Sequence, residues 1–297
     1  MSQPSNSLAR SRLKIRYGVK NHNKLQSLLY SFYKFYYSTT GTFHTLPNYL
    51  IIGAAKCGTS SLYEYLIQHP NINAALGKEI NFFDMHYSKG INWYRSYFPF
   101  KNFLTKKNSI TGEATPRYLD HPHTPKRVYD LIPSAKIILL LRNPVDRAYS
   151  HWNMMVAHKR ENLSFSEAIE NEKSRISDFY EQMQNNQEYY SKEYFWYGYL
   201  ERGLYAKKLK HWMNFIPKEQ FLVLQSEEFF HNTSDVYSRV LEFLDLPKMN
   251  LPKYKKFRKG SYKKQKMDDS IRKKLTDFFE PHNKELYTLI GNNFGWK

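Results

Sequence analysis

Short runs of branched and apolar residues recur along the chain: NYLIIG (48–53), SITGEA (109–114), AKIILLL (135–141) and QFLVLQ (220–225). Each has the length and composition of a strand buried on both faces of a parallel sheet. Between them, helical patterns occupy 59–68, 124–131, 145–159, 164–172, 203–214 and 234–244. Alternating strands and helices predict an α/β fold in which helices cover both faces of a central parallel sheet, a three-layer α/β/α domain. The closing stretch, DDSIRKKLTDFFEPHNKELYTLIG, keeps its apolar residues at helical spacing. Pro281 within it is expected to break the helix or open a new first turn. With no internal repeat or low-complexity linker, one domain is expected over 47–297, behind a leader of residues 1–46.

Composition adds a question of charge. The 297 residues are 41% hydrophobic, enough for a sizeable core, yet carry a formal net charge of +18. The leader contains Arg10, Arg12, Lys14, Arg16, Lys20, Lys24 and Lys34 and no acid, and a second basic cluster runs over 248–274. Nucleic acid, an anionic membrane and anionic substrates are the partners such an excess serves. No nucleic-acid motif accompanies it, and no apolar run reaches the roughly 20 residues of a membrane span. Leu25, Leu28, Leu29, Phe32 and Tyr36 keep helical spacing, which suits packing on the body or peripheral membrane association through residues 10–37. The single cysteine, Cys57, permits no intrachain disulfide and favours a reducing, cytoplasmic setting.

The candidate chemistry begins at Gly53–Ser60, GAAKCGTS, between the first strand and the first helix. Its length and context are those of a nucleotide phosphate loop, in which glycines let backbone N–H groups crowd an anion. Thr59 takes the position usually held by lysine, while Lys56 lies inside the loop. A lysine there sits nearer the first phosphate beyond the strand, which suits a nucleotide with one 5′-phosphate and a transferable group attached to it. Cys57 reads as a small spacer.

Further motifs follow in order: KEINFFD (78–84), TGEATPRYL (111–119), LLLRNPVDRAYSHW (139–152) and RKGSYKKQKM (258–267). From about residue 46 onward the chain resembles the sulfotransferases that use 3′-phosphoadenosine 5′-phosphosulfate (PAPS), most of all those acting on heparan sulfate and related carbohydrates. The resemblance implies a fold like that of phosphate-loop nucleotide kinases, PAPS as donor, its desulfonated product PAP, and no metal. It assigns Lys56, Cys57, Gly58, Thr59 and Ser60 to the 5′-phosphosulfate, and Arg142 and Ser150 to the 3′-phosphate. It assigns Lys259, Gly260, Ser261, Tyr262 and Lys263 to a late loop over the nucleotide, with Ser261 where relatives often have arginine. Glu79 matches the general base of the heparan sulfate branch, with Lys78 beside it. Glu113, Trp93, Arg95 and Arg117 are acceptor-side candidates, and the acceptor is expected to be a carbohydrate, an anionic glycan, rather than nucleic acid. An ATP- and magnesium-dependent kinase and a basic nucleic-acid-binding protein are the competing readings.

Overall fold

The computed structural model describes residues 32, 35–101, 109–255, 257 and 266–296. Most of the basic leader therefore lies outside the described residues. Five strands form one sheet: β1 Tyr49–Gly53, β2 Ile72–Ala74, β3 Ile110–Ala114, β4 Lys136–Leu141 and β5 Phe221–Gln225. Their order is β2-β3-β1-β4-β5, and every pairing is parallel. Helices flank this sheet, as the alternation of patterns predicts. The short β2, INA, was not expected: three residues carry no legible period, and pairing with β3 makes them a strand.

Twelve helices are used below: α1 Thr59–Leu66, α2 Phe82–Met85, α3 Ile91–Arg95, α4 Thr124–Leu131, α5 Pro144–Ala157, α6 Phe165–Glu170, α7 Glu172–Asn185, α8 Lys192–Tyr197, α9 Tyr205–Met213, α10 Ser226–His231, α11 Thr233–Phe243 and α12 Asp269–Ile290. Their ends have local causes. Asn143 caps α5 by accepting from Val145 N, with Pro144 in the first turn. Ser164 and Glu167 form a reciprocal capping box on α6. Asp268 caps α12, and Gly291 at φ 72° ends it. Pro281 does not divide α12 as expected; Leu275, Phe279, Asn283 and Leu286, buried on both sides of it, hold one continuous helix against the body.

The core explains the centre of the sheet. Tyr49, Leu50, Ile51 and Ile52 of β1 are fully buried, as are Ile137 to Leu141 of β4. Ile176, Met183, Tyr194 and Phe195 form a smaller cluster of their own, built from α7 and α8. Arg127 of α4 donates to the carbonyl of Gln187, in the turn between α7 and α8. Among the described residues no helix is long and apolar enough to cross a membrane.

Because all strands run the same way, the segments following β1, β3, β4 and β5 emerge on one edge of the sheet. The connection after β1 runs to β2 on one side of the sheet and that after β4 to β5 on the other, so the chain parts between these adjacent strands. In open α/β sheets a crevice forms at such a point.

Candidate active site

The loop between β1 and α1 is held by backbone hydrogen bonds within itself and to β4. Ala54 N donates to Leu140 O at 2.8 Å, Cys57 N to Ala54 O at 3.2 Å, and Ser61 N to Gly58 O at 2.9 Å. Lys56 and Gly58 adopt φ of 74° and 97°. Gly58 is required twice over: the left-handed φ suits it, and a Cβ there would lie 2.8 Å from the Phe230 ring. Thr59 is buried behind the loop, while Ser60 is half-buried and accepts a hydrogen bond from Lys78 Nζ. Cys57 is fully buried, and burial pushes its thiol up to about 11. It remains a neutral packing group, in keeping with a spacer.

Cations gather at this loop. Lys56 is half-buried, its Nζ 3.5 Å from Met154 Sδ. Burial lowers its pKa first, and the nearby Arg142 and Arg147 guanidinia lower it further. Arg142 follows β4 directly and is half-buried, and among the described residues its guanidinium makes no ion pair. Ser150 lies further along α5, also half-buried. Like charges held together at a helix start and a glycine turn are favourable when an anion lies between them. The arrangement therefore fits a ligand with several negative charges.

The second half of the site follows β2. Glu79 N donates to Ala114 O at 3.1 Å, fastening this segment to the end of β3. Glu79 and Asn81 adopt φ of 56° and 54°. Left-handed backbone costs non-glycine residues roughly 1–2 kcal/mol each. Asn81 offsets part of that by donating Nδ2 to Glu79 O at 2.6 Å. Such strain concentrates at functional segments. Arg117, after β3, donates to Tyr190 OH at 2.6 Å. Burial lowers its pKa, but Tyr190, Asp84 and Glu79 outweigh it and hold the guanidinium charged. Glu79, Lys78 and Arg117 thus come together with the loop, Lys78 bridging to Ser60.

Asp84 was not singled out from the sequence, although it closes the KEINFFD motif. It is 4% exposed, and burial raises its carboxyl to about 6. Oδ1 accepts from Met85 N at 2.8 Å, and Oδ2 has no hydrogen-bond partner among the described residues.

Other candidates are placed elsewhere. Glu113 is fully buried in β3, where Tyr94 OH at 2.6 Å, Thr115 Oγ1 at 2.8 Å and Tyr118 OH at 3.0 Å donate to it. Burial raises it to about 7. It ties β3 to α3 and the following turn, so a substrate contact is corrected to a structural role. Trp93 is also corrected: it is 5% exposed and packs on Tyr97, His86 and Phe82 rather than lining a groove. Arg95 is half-buried on α3, and its Nε has no partner among the described residues. His151, on α5, is 1% exposed and kept neutral by burial first, then by Arg202 and Arg147. Lys259, Gly260, Ser261, Tyr262 and Lys263 lie outside the described residues.

Comparison with known proteins follows the same lines. The family model for the sulfotransferase domain matches residues 46–279. The chain is 26% identical to the membrane-associated sulfotransferase kil1 of Dictyostelium discoideum, over 85% of this chain and 67% of that protein. It is 29% identical to human heparan sulfate glucosamine 3-O-sulfotransferase 6, over 84% of this chain and 73% of that one. The crystal structure of a sulfotransferase from Alicyclobacillus acidocaldarius superposes with a TM-score of 0.66 at 34% identity, covering 84% of this chain and 98% of the other. A lysine-bearing loop on a parallel sheet and a match across most of the domain agree: the chain belongs to the sulfotransferase family.

Proposed function

We propose that this sulfotransferase takes PAPS as donor and passes its sulfuryl group to a hydroxyl or amine of a carbohydrate. The observation that carries the reading is the placement of Lys56 and Arg142 just after the adjacent parallel strands β1 and β4, on the same edge of the sheet, where Arg142 helps to lower the pKa of Lys56. A nucleotide with phosphate at both its 5′ and 3′ ends gives these cations their counter-charges. Lys56, Gly58, Thr59 and Ser60 would hold the 5′ end, and Arg142 and Ser150 the 3′-phosphate.

When bound, PAPS supplies an electrophilic sulfur: a bond from the acceptor oxygen or nitrogen forms as the bond to the 5′-phosphate oxygen breaks. Glu79 accepts the acceptor's proton. Lys56 Nζ stabilises charge arising on the leaving oxygen, a preorganised electrostatic effect worth about 4 kcal/mol. Lys78 holds Ser60 and the base segment in one register, and Arg117 faces the Glu79 carboxylate with positive charge. Asp84 Oδ2 is a ready acceptor for a hydroxyl or amine N–H of the incoming sugar.

The heparan sulfate glucosamine 3-O-sulfotransferases among the relatives support a glycan acceptor. Exposed Phe32, Phe35 and Phe43, within the acid-free leader, support peripheral association with an anionic membrane. Transfer of labelled sulfate from PAPS to a panel of desulfated glycans tests the reading. Labelled product with at least one glycan is expected; none with any glycan, alongside sulfation of a peptide tyrosine, would refute the carbohydrate assignment.

A further inference from the structure

We propose that Tyr205 and Glu227 form a brace that aims Arg142, and that this brace sets selectivity for the donor's 3′-phosphate. The inference rests on the donor reading above. Both polar groups of one peptide unit, Arg142–Asn143, are held from outside their own turn. The carbonyl of Arg142 accepts from Tyr205 OH at 2.9 Å. The N–H of Asn143 donates to Glu227 Oε1 at 2.9 Å. A peptide plane bonded at both ends cannot rotate without losing both bonds, one of them charge-assisted. That plane adjoins the Arg142 Cα, so its tilt fixes the direction in which the guanidinium leaves the strand.

The brace has anchors on both sides. Ser226, next to Glu227, donates Oγ to Cys57 O at 2.8 Å. One dipeptide at the end of β5 thus bonds the phosphate loop through one residue and the Arg142 turn through the other, and fixes the spacing between them. Trp296 Nε1 donates to Glu227 Oε2 at 3.2 Å, and the Trp296 ring lies 6.0 Å from the Tyr205 ring. Gln225 Nε2 reaches Phe294 O at 2.9 Å, binding the C-terminal segment to β5. Neither Tyr205 nor Glu227 points to substrate chemistry on its own. Glu227 is exposed, and it accepts from the Asn143 backbone and the Trp296 indole. Both are positioning residues.

The test is calorimetric, on the full chain, with adenosine 3′,5′-bisphosphate and adenosine 5′-phosphate as probes. The ratio of their affinities reads the 3′ site alone. The wild type is expected to prefer the bisphosphate and Arg142→Ala to lose that preference. Glu227→Ala and Tyr205→Phe should each cut the ratio about fivefold, and together by more than about tenfold, with adenosine 5′-phosphate affinity unchanged. Glu227→Gln should restore most of the ratio, because its carbonyl oxygen still accepts from Asn143. If Glu227→Ala does not fold, as judged by melting, Tyr205→Phe and Glu227→Gln decide. Folded variants that keep the wild-type ratio, or weaken both nucleotides equally, overturn the brace. A wild type without any preference instead overturns the assignment of Arg142 to the 3′-phosphate.

Discussion

The ends of β1 and β4 carry cations, Lys56 and Arg142 with Arg147 behind them, whereas the segment after β2 carries carboxylates, Glu79 and Asp84, facing Arg117 after β3. The first half lowers the pKa of its own lysine by burial and by crowding positive charge; the second raises Asp84 to about 6 by burial. An anion of fixed charge suits the first, because cations already in place need not reorganise when it binds. A step in which a proton moves suits the second, where the proposed reaction has Glu79 receive it. The two halves are stitched together at Lys78 and Ser60.

Removing charge from the cationic half should have the largest effect. Lys56→Ala is expected to reduce transfer at least about a thousandfold and to weaken PAP binding; turnover within about tenfold of wild type would detach Lys56 from the developing charge. Glu79→Gln should sharpen the division. Turnover is expected to fall about a hundredfold or more while PAP affinity stays unchanged. A turnover that survives would take the proton-accepting role from Glu79, and lost PAP affinity would mean that the two halves are not separable.

The smallest effect concerns stability. Glu113 ionises in the fold at about 7 against an ordinary 4.5 because it is buried. Its raised pKa contributes stability that is complete below about 4.5 and is lost as pH rises through about 7. Asp84 and Glu172, raised by burial to about 6 and about 7, act with the same sign. Glu113→Gln keeps an oxygen for the Tyr94 and Tyr118 hydroxyls, offers its amide N–H to Thr115 Oγ1, and cannot ionise. Its melting temperature relative to wild type should therefore climb by roughly 3 °C or more between pH 4.5 and 7.5. A difference that does not change with pH would mean that Glu113 ionises in the fold as it does in the unfolded chain.

The local sequence carried the sheet and the cationic half. Runs such as AKIILLL are strands because nothing in them can face water, and a lysine set between glycines in a strand-to-helix turn has few structural uses. What stayed hidden depends on distance along the chain. β2 has three residues and exists through its pairing with β3. Pro281 reads as a breaker, yet packing on either side keeps α12 whole. Trp93 and Glu113 looked like acceptor residues by composition, and their burial became visible only when the neighbouring tyrosines were in place. The contact of Asn143 with Glu227 spans 84 positions, and that of Trp296 with Glu227 spans 69. A string of residues gives no sign of either.

The most direct measurement is calorimetric titration of the wild-type chain with adenosine 3′,5′-bisphosphate. Saturable binding of that nucleotide without added metal, lost in Lys56→Ala, is the expected result. No measurable affinity for it, together with magnesium-dependent binding of ATP, would contradict the account.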